Sequence, residues 1–86
     1  MGSYKISLKK SVEKDLRRID RKEVSKILSE VENLQDDPFP PGSRKLVGSD
    51  NTYRIRIGDY RAVYMVANEV REIVVQRIAH RKDVYE

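Results

Sequence analysis

The sequence predicts an α+β domain: two N-terminal helices in a hairpin packed on a twisted antiparallel sheet, with a short C-terminal segment after the last strand. Three observations predict it. Between residues 12 and 34 apolar side chains recur every three or four positions, the period of a helix with one buried face. From residue 52 onward the period falls to two over three consecutive runs, as in strands with one buried face. Between these regimes lies "DDPFPPGS", residues 36–43, whose three prolines and glycine end the helical region and impose a non-regular crossing.

Taken in order, "YKISL" (Tyr4 to Leu8) alternates β-forming apolar residues with polar ones and reads as a first strand. Met1-Gly2-Ser3 adds nothing to that pattern and is set aside as a vector-derived remnant. Ser11 is placed to cap a helix carrying Val12, Leu16 and Ile19, and Asp20 with Glu23 resembles a capping box opening a second. That second helix carries Val24, Ile27, Leu28, Val31 and Leu34 on one stripe, with Lys22, Lys26, Glu30 and Glu32 away from it. After the proline segment, "RKLVG" reads as a short strand and "SDN" as a turn. "TYRIRI", "YRAVYMV" and "REIVVQRI" then form a meander, separated by Gly58-Asp59 and "ANEV". The last run is apolar on both faces around Ile73, Val74 and Val75, which suits a central strand delivering "AHRKDVYE" to the sheet's rim.

The 86 residues bound the chain to one domain, 1–86, with a single core. The lack of cysteine excludes disulfides, zinc thiolate sites and thiol catalysis. No apolar run is long enough to span a bilayer and no hydrophobic N-terminal segment is present, so a cytoplasmic protein without a membrane partner is expected. Charged residues make up 37% of the chain at a net charge of +4, which permits an anionic partner without requiring one. Residues 1–36 hold nine basic and seven acidic side chains, mixed as on a solvated helix surface, whereas residues 44–61 hold five basic and two acidic.

Within that second region, strand alternation sends Tyr53, Ile55 and Ile57 to one face and Arg54 and Arg56 to the other. With Gly58-Asp59 as a two-residue loop, Arg61 lies opposite Arg56. Like charges directly opposed on a sheet are unfavourable, by an amount comparable to the roughly 0.2–1 kcal/mol of a good cross-strand pair. Asp59 or water would offset this in a purely structural reading. In a functional one, three convergent guanidiniums would each hold a phosphate oxygen. The tyrosines of the opposite face (Tyr53, Tyr60, Tyr64) read as core. The tail "RIAHRKDVYE" holds the single histidine, His80, among Arg77, Arg81 and Lys82, with Tyr85 next to the end.

The blocks "YKISLKKSVEKDLRRI", "PFPPGSRKLVGSDNTYRIRIGDYRAVY" and "RIAHRKDVY" resemble, in order and spacing, the RelE/ParE superfamily of toxins from type II toxin–antitoxin modules. The resemblance spans nearly the whole chain and implies two helices on a twisted antiparallel sheet with a basic concave face. It is closest to RelE-like members, which cut messenger RNA in the ribosomal decoding site. By matched position it implies that Arg54 and Arg56 contact RNA, that Arg61 and Arg81 neutralise the scissile phosphate, and that Tyr85 is catalytic, with His80 where many relatives also carry histidine. Arg44, Lys45, Arg77 and Lys82 complete the basic set assigned to RNA. Two family lysines are arginines here, and arginine does not lose its proton, so a lysine-type base at Arg54 or Arg56 is excluded.

The reaction the resemblance implies is attack by the RNA's own 2′-hydroxyl, which needs positioning, a base, an acid and cationic donors, and no cofactor. One histidine, no cysteine and no acidic cluster with ligand spacing point away from a metal. His80 and Tyr85 are left for proton transfer, with base and acid unassigned between them. The expected partners are a cognate antitoxin, RelB-like or other, the ribosome with its mRNA, and operator DNA reached through the antitoxin. Two alternatives are a ParE-like DNA gyrase inhibitor, against which Arg81 and Tyr85 argue, and a catalytically silent nucleic-acid binder.

Overall fold

A computed structural model describes residues 3–80 and Lys82. The chain forms β1 (Lys5–Leu8), α1 (Lys10–Arg17), α2 (Arg21–Glu32), a 3-10 turn (Asn33–Gln35), β2 (Arg44–Lys45), β3 (Thr52–Ile57), β4 (Tyr60–Ala67) and β5 (Glu72–His80). All five strands join one sheet in the order β1-β5-β4-β3-β2. β2 to β5 are successive antiparallel neighbours, the expected meander. β1 is different: it lies parallel to β5, with Lys5 opposite Glu72 and Leu8 opposite Val75, so the sheet is mixed. The connection explains this. From β1 the chain crosses one face of the sheet as two helices, enters at the far edge as β2, and walks back strand by strand, so that the last strand arrives running in the direction of the first.

Asp20 caps α2 as its sequence position indicates, its side chain accepting from the Lys22 N–H at 3.2 Å. Ser11 does not cap α1. That helix starts two residues earlier than a Ser11 cap would set it, with Lys9 in the cap position and no side-chain bond there, and the Ser11 hydroxyl donates instead to the Gln76 carbonyl at 2.9 Å. The helical stripe meets the sheet as its spacing requires: Val12, Ile27, Val31 and Leu34 are buried against Ile55, Ile57, Ala62, Val66, Ile73 and Val75. Both helices thus cover one face and leave the other open.

β5 carries one irregularity. Val63 faces Arg77 while the next residue, Tyr64, faces Val75, so Gln76 is an extra residue with no partner on β4. This bulge resets the alternation: Ile73 and Val75 before it and Ile78 after it are all buried. Without it Arg77, two positions beyond Val75, would point into the core.

The proline segment is tied to this core by aromatic residues. Tyr64 is fully buried, and its hydroxyl donates to the Pro38 carbonyl at 2.7 Å. Tyr53 stacks on Tyr64 at 6.1 Å between centroids, and Phe39 meets Tyr53 edge-on at 4.9 Å. Burial pushes the Tyr64 hydroxyl up from its ordinary value of 10.0 to about 12. The fold therefore favours the protonated phenol. Its contribution is complete below pH 10, where both states are protonated, and is lost as pH rises from 10 towards about 12, because the unfolded chain ionises first. Tyr64→Phe is expected to cost about 1–3 kcal/mol at neutral pH by stranding the Pro38 carbonyl. Its stability deficit relative to the native chain should shrink through that alkaline window, as measured by urea denaturation at a series of pH values.

Candidate functional site

The open face of the sheet is built by register. Arg56 stands directly opposite Arg61, and Ile57 opposite Tyr60, across the two-residue Gly58-Asp59 loop. Gly58 takes a φ of 60°, a left-handed conformation that favours glycine, which lets the hairpin close this tightly. One row across the sheet reads Arg44, Arg54, Val63, Arg77, and the next Arg56, Arg61, Ala79. Because the helices occupy the other side, Arg44, Arg54, Arg56, Arg61 and Arg77 share the uncovered face.

Their settings differ. Arg54 and Arg61, in the middle of the sheet, are half-buried and their Nε atoms are shielded from solvent, whereas Arg44, Arg56 and Arg77 are exposed. Arg56 Nε donates to the Gly58 carbonyl at 3.4 Å, a long bond that rests the side chain on its own hairpin. Arg77 Nε lies 4.0 Å from Asp15 Oδ2; with the Arg77 side chain 58% exposed, this pair contributes little, about 0–1 kcal/mol. A guanidinium can donate to an anion and does not give up its proton at neutral pH, so the chemistry open to these five side chains is charge and hydrogen-bond donation rather than acid–base work.

Two predicted residues stand elsewhere. Lys45 is opposite Tyr53, and so on the other side of the sheet from Arg44 and Arg54. His80 is opposite Tyr60, in the row of Ile57, which places it on the reverse face from Arg61. Its ring meets Tyr60 edge-on at 5.4 Å, and its Nδ1 accepts from the Lys82 N–H at 3.3 Å. There His80 lines a cleft of about 400 Å³ with Asp15, Arg18, Ile19, Tyr60 and the end of β5. Lys82 itself is exposed. Arg81 and Tyr85 lie outside the described residues. Sequence reasoning passed over Asp15, which accepts from the Ile78 N–H at 3.0 Å. The available signal was its place four residues after Ser11, on the same side of α1.

The chain is similar to known proteins in sequence and in fold. The model of the family described as the ParE toxin of type II toxin–antitoxin system, parDE, matches residues 6–85. RelE1 of Methanocaldococcus jannaschii is 32% identical over 85 residues, which cover 95% of this chain and 94% of that protein. The toxin RelE3 of the same organism is 31% identical over 86 residues, covering 95% and 96% respectively. A chain of the archaeal RelE–RelB complex from Pyrococcus horikoshii superposes with a TM-score of 0.82 at 26% identity, over 95% of this chain and 99% of that one.

The like charge of Arg56 directly opposite Arg61 is unfavourable taken as a pair. Arg56→Thr, which keeps β propensity and removes the like charge facing Arg61, should stabilise the fold by about 0.2–1 kcal/mol at low salt. The gain should shrink near 1 M salt, where the screening length falls to about 3 Å; paired urea titrations at the two ionic strengths measure it.

Proposed function

Because this chain belongs to the RelE/ParE superfamily of toxins from type II toxin–antitoxin systems, we propose that its arginine face holds messenger RNA in the ribosomal decoding site and that the protein cleaves it there. The observation that supports the reading is the convergence of Arg54, Arg56 and Arg61, joined by Arg44 and Arg77, on the one sheet face the helices leave open. A single-stranded backbone laid across the two rows would meet several guanidiniums.

In the proposed reaction the 2′-hydroxyl loses its proton to a base and its oxygen attacks the adjacent phosphorus. The P–O5′ bond breaks and the leaving oxygen takes up a proton, giving a 2′,3′-cyclic phosphate and a free 5′-hydroxyl. Arg61 and Arg81 hold the nonbridging oxygens as charge builds on them. Tyr85, four residues after Arg81 in the chain, is given the proton transfer. His80, on the reverse face, is given a supporting role: its Nδ1 accepts from the Lys82 N–H, which ties Lys82 to the end of β5. The matched Pyrococcus chain was solved in a RelE–RelB complex, and a RelB-like antitoxin covering the arginine face is the proposed partner here, in the cytoplasm, with operator DNA reached through it.

One observation favours a second reading. The matching family model is that of ParE, and a ParE-like protein would instead inhibit DNA gyrase without any proton-transfer residue. A translating extract with mRNA ends mapped by primer extension, run beside a gyrase supercoiling assay, separates the two. Codon-phased cuts with unaffected supercoiling are the result expected.

For cleavage itself, Tyr85→Phe should lower the single-turnover rate on ribosomes by about 10²–10⁴ and Arg61→Ala by about 10²–10³, with ribosome binding nearly kept. Wild-type rates in Tyr85→Phe, or products with 5′-phosphates, would exclude this chemistry. In binding to a single-stranded model RNA, Arg54→Ala should reduce the log–log salt slope by about 0.7, while Lys14→Ala on α1 leaves it unchanged.

A further inference from the structure

β1 covers only the first half of β5. Its pairing ends at Leu8 opposite Val75, and the Lys9 N–H makes the last rung, donating to the Val75 carbonyl at 3.0 Å. β5 continues for five residues more, to His80. Backbone groups on its outer side there would form an open strand edge, a template for wrong pairing and for fraying.

α1 closes that edge with side chains. Ser11 and Asp15 are four residues apart and so on one side of the helix. The Ser11 hydroxyl donates to the Gln76 carbonyl at 2.9 Å, and the Asp15 carboxylate accepts from the Ile78 N–H at 3.0 Å. These two bonds take up outward backbone groups of β5 beyond the end of β1. Beyond the end of α1 stands Ile19, whose side chain offers no polar atom, and the cleft beside His80 opens there. The Asp15 side chain is 16% exposed, so its bond to Ile78 is charge-assisted and largely sheltered, and the same oxygen lies 4.0 Å from Arg77 Nε. Gln76 is the bulge residue and Ile78 the first core residue after it. The clasp therefore grips the strand on both sides of Arg77.

We propose that Asp15 is a positioning residue for the arginine face: through the Ile78 N–H it fixes the last four residues of β5 against β4. This holds Ala79 opposite Arg61 and His80 opposite Tyr60, and sets where the chain stands as it leaves the sheet. The consequence for catalysis rests on the proposed function, since that exit leads to Arg81 and Tyr85. A displacement of about 1 Å at such a site is enough to cost about a hundredfold in rate.

The test uses the full chain, with amide hydrogen exchange read by NMR at Ile78 and, as core reporters, at Val66 and Ile73. Single-turnover mRNA cleavage is measured in parallel over a range of ribosome concentrations. Asp15→Ala should raise exchange at Ile78 by about tenfold or more beyond any change at the core reporters. It should lower the cleavage rate per folded molecule about 10–100-fold with the half-saturating ribosome concentration unchanged. Asp15→Asn keeps an acceptor oxygen and should recover most of both, leaving a residual rise of about two- to fivefold at Ile78. Exchange at Ile78 that moves only in step with the core reporters, or an unchanged rate per folded molecule, overturns the proposal. Should Asp15→Ala not fold, Asp15→Asn decides it: unchanged exchange at Ile78 overturns it and the residual rise supports it. Should the native chain not cleave mRNA, the catalytic reading fails, and the exchange comparison alone judges the clasp.

Discussion

The single extra residue in β5 is the constraint on which the rest of the molecule depends. A regular strand from Ile73 to His80 would bury Arg77 with Ile73 and Val75 and turn Ile78 to solvent. The bulge at Gln76 exchanges them, so that the strand stays apolar towards the helices along its length while Arg77 joins the open face. It also puts His80 in phase with Tyr60 and not with Arg61. A bulge leaves backbone groups off the regular ladder, and here the Gln76 carbonyl finds the Ser11 hydroxyl. Strand irregularity, helix placement and the charge of the open face are therefore one arrangement.

That arrangement gives each face of the sheet a single task. The helix-side face carries Ile55, Ile57, Ala62, Tyr64, Val66, Ile73, Val75 and Ile78, and supplies most of the apolar burial available to so short a chain. The face left open does not have to stabilise the fold. It tolerates opposed arginines at a cost of the order of a few tenths of a kcal/mol per pair, small beside what the other face contributes.

Much of this was legible in the sequence, for physical reasons that can be named. The stripe from Val24 to Leu34 and the alternation in "TYRIRI" and "YRAVYMV" are strong periodic signals, and a two-residue Gly58-Asp59 loop fixes the register that opposes Arg56 and Arg61. What stayed hidden depends on tertiary context. Ser11 looks like a helix cap because its neighbours are local, yet its partner is 65 residues away at Gln76. The parallel pairing of β1 follows from connection length, which local alternation does not encode. The bulge has no glycine to announce it, and counting by twos through Gln76 therefore misplaces His80. Lys45 shows the opposite limit: proximity to Arg44 suggests a shared task, but adjacent strand residues point to opposite faces.

Position also bears on whether the arginines are there to keep an uncovered sheet soluble or to hold an anion. Solubility asks only for charge somewhere on the face and is served equally by lysine or glutamate, scattered so that like charges avoid one another. Here the basic residues of the two rows beside the hairpin are arginines, with Arg56 against Arg61, and the two central ones are half-buried where charge is costlier to keep. Each choice costs stability without adding solubility, and each suits a planar donor fork meeting phosphate oxygens at fixed spacing. The same face also carries apolar side chains: Val63 within the row of Arg54 and Arg77, and Met65 and Val74 further from the hairpin. A partner able to cover the whole surface must therefore meet guanidiniums and apolar side chains together, Val63 among them.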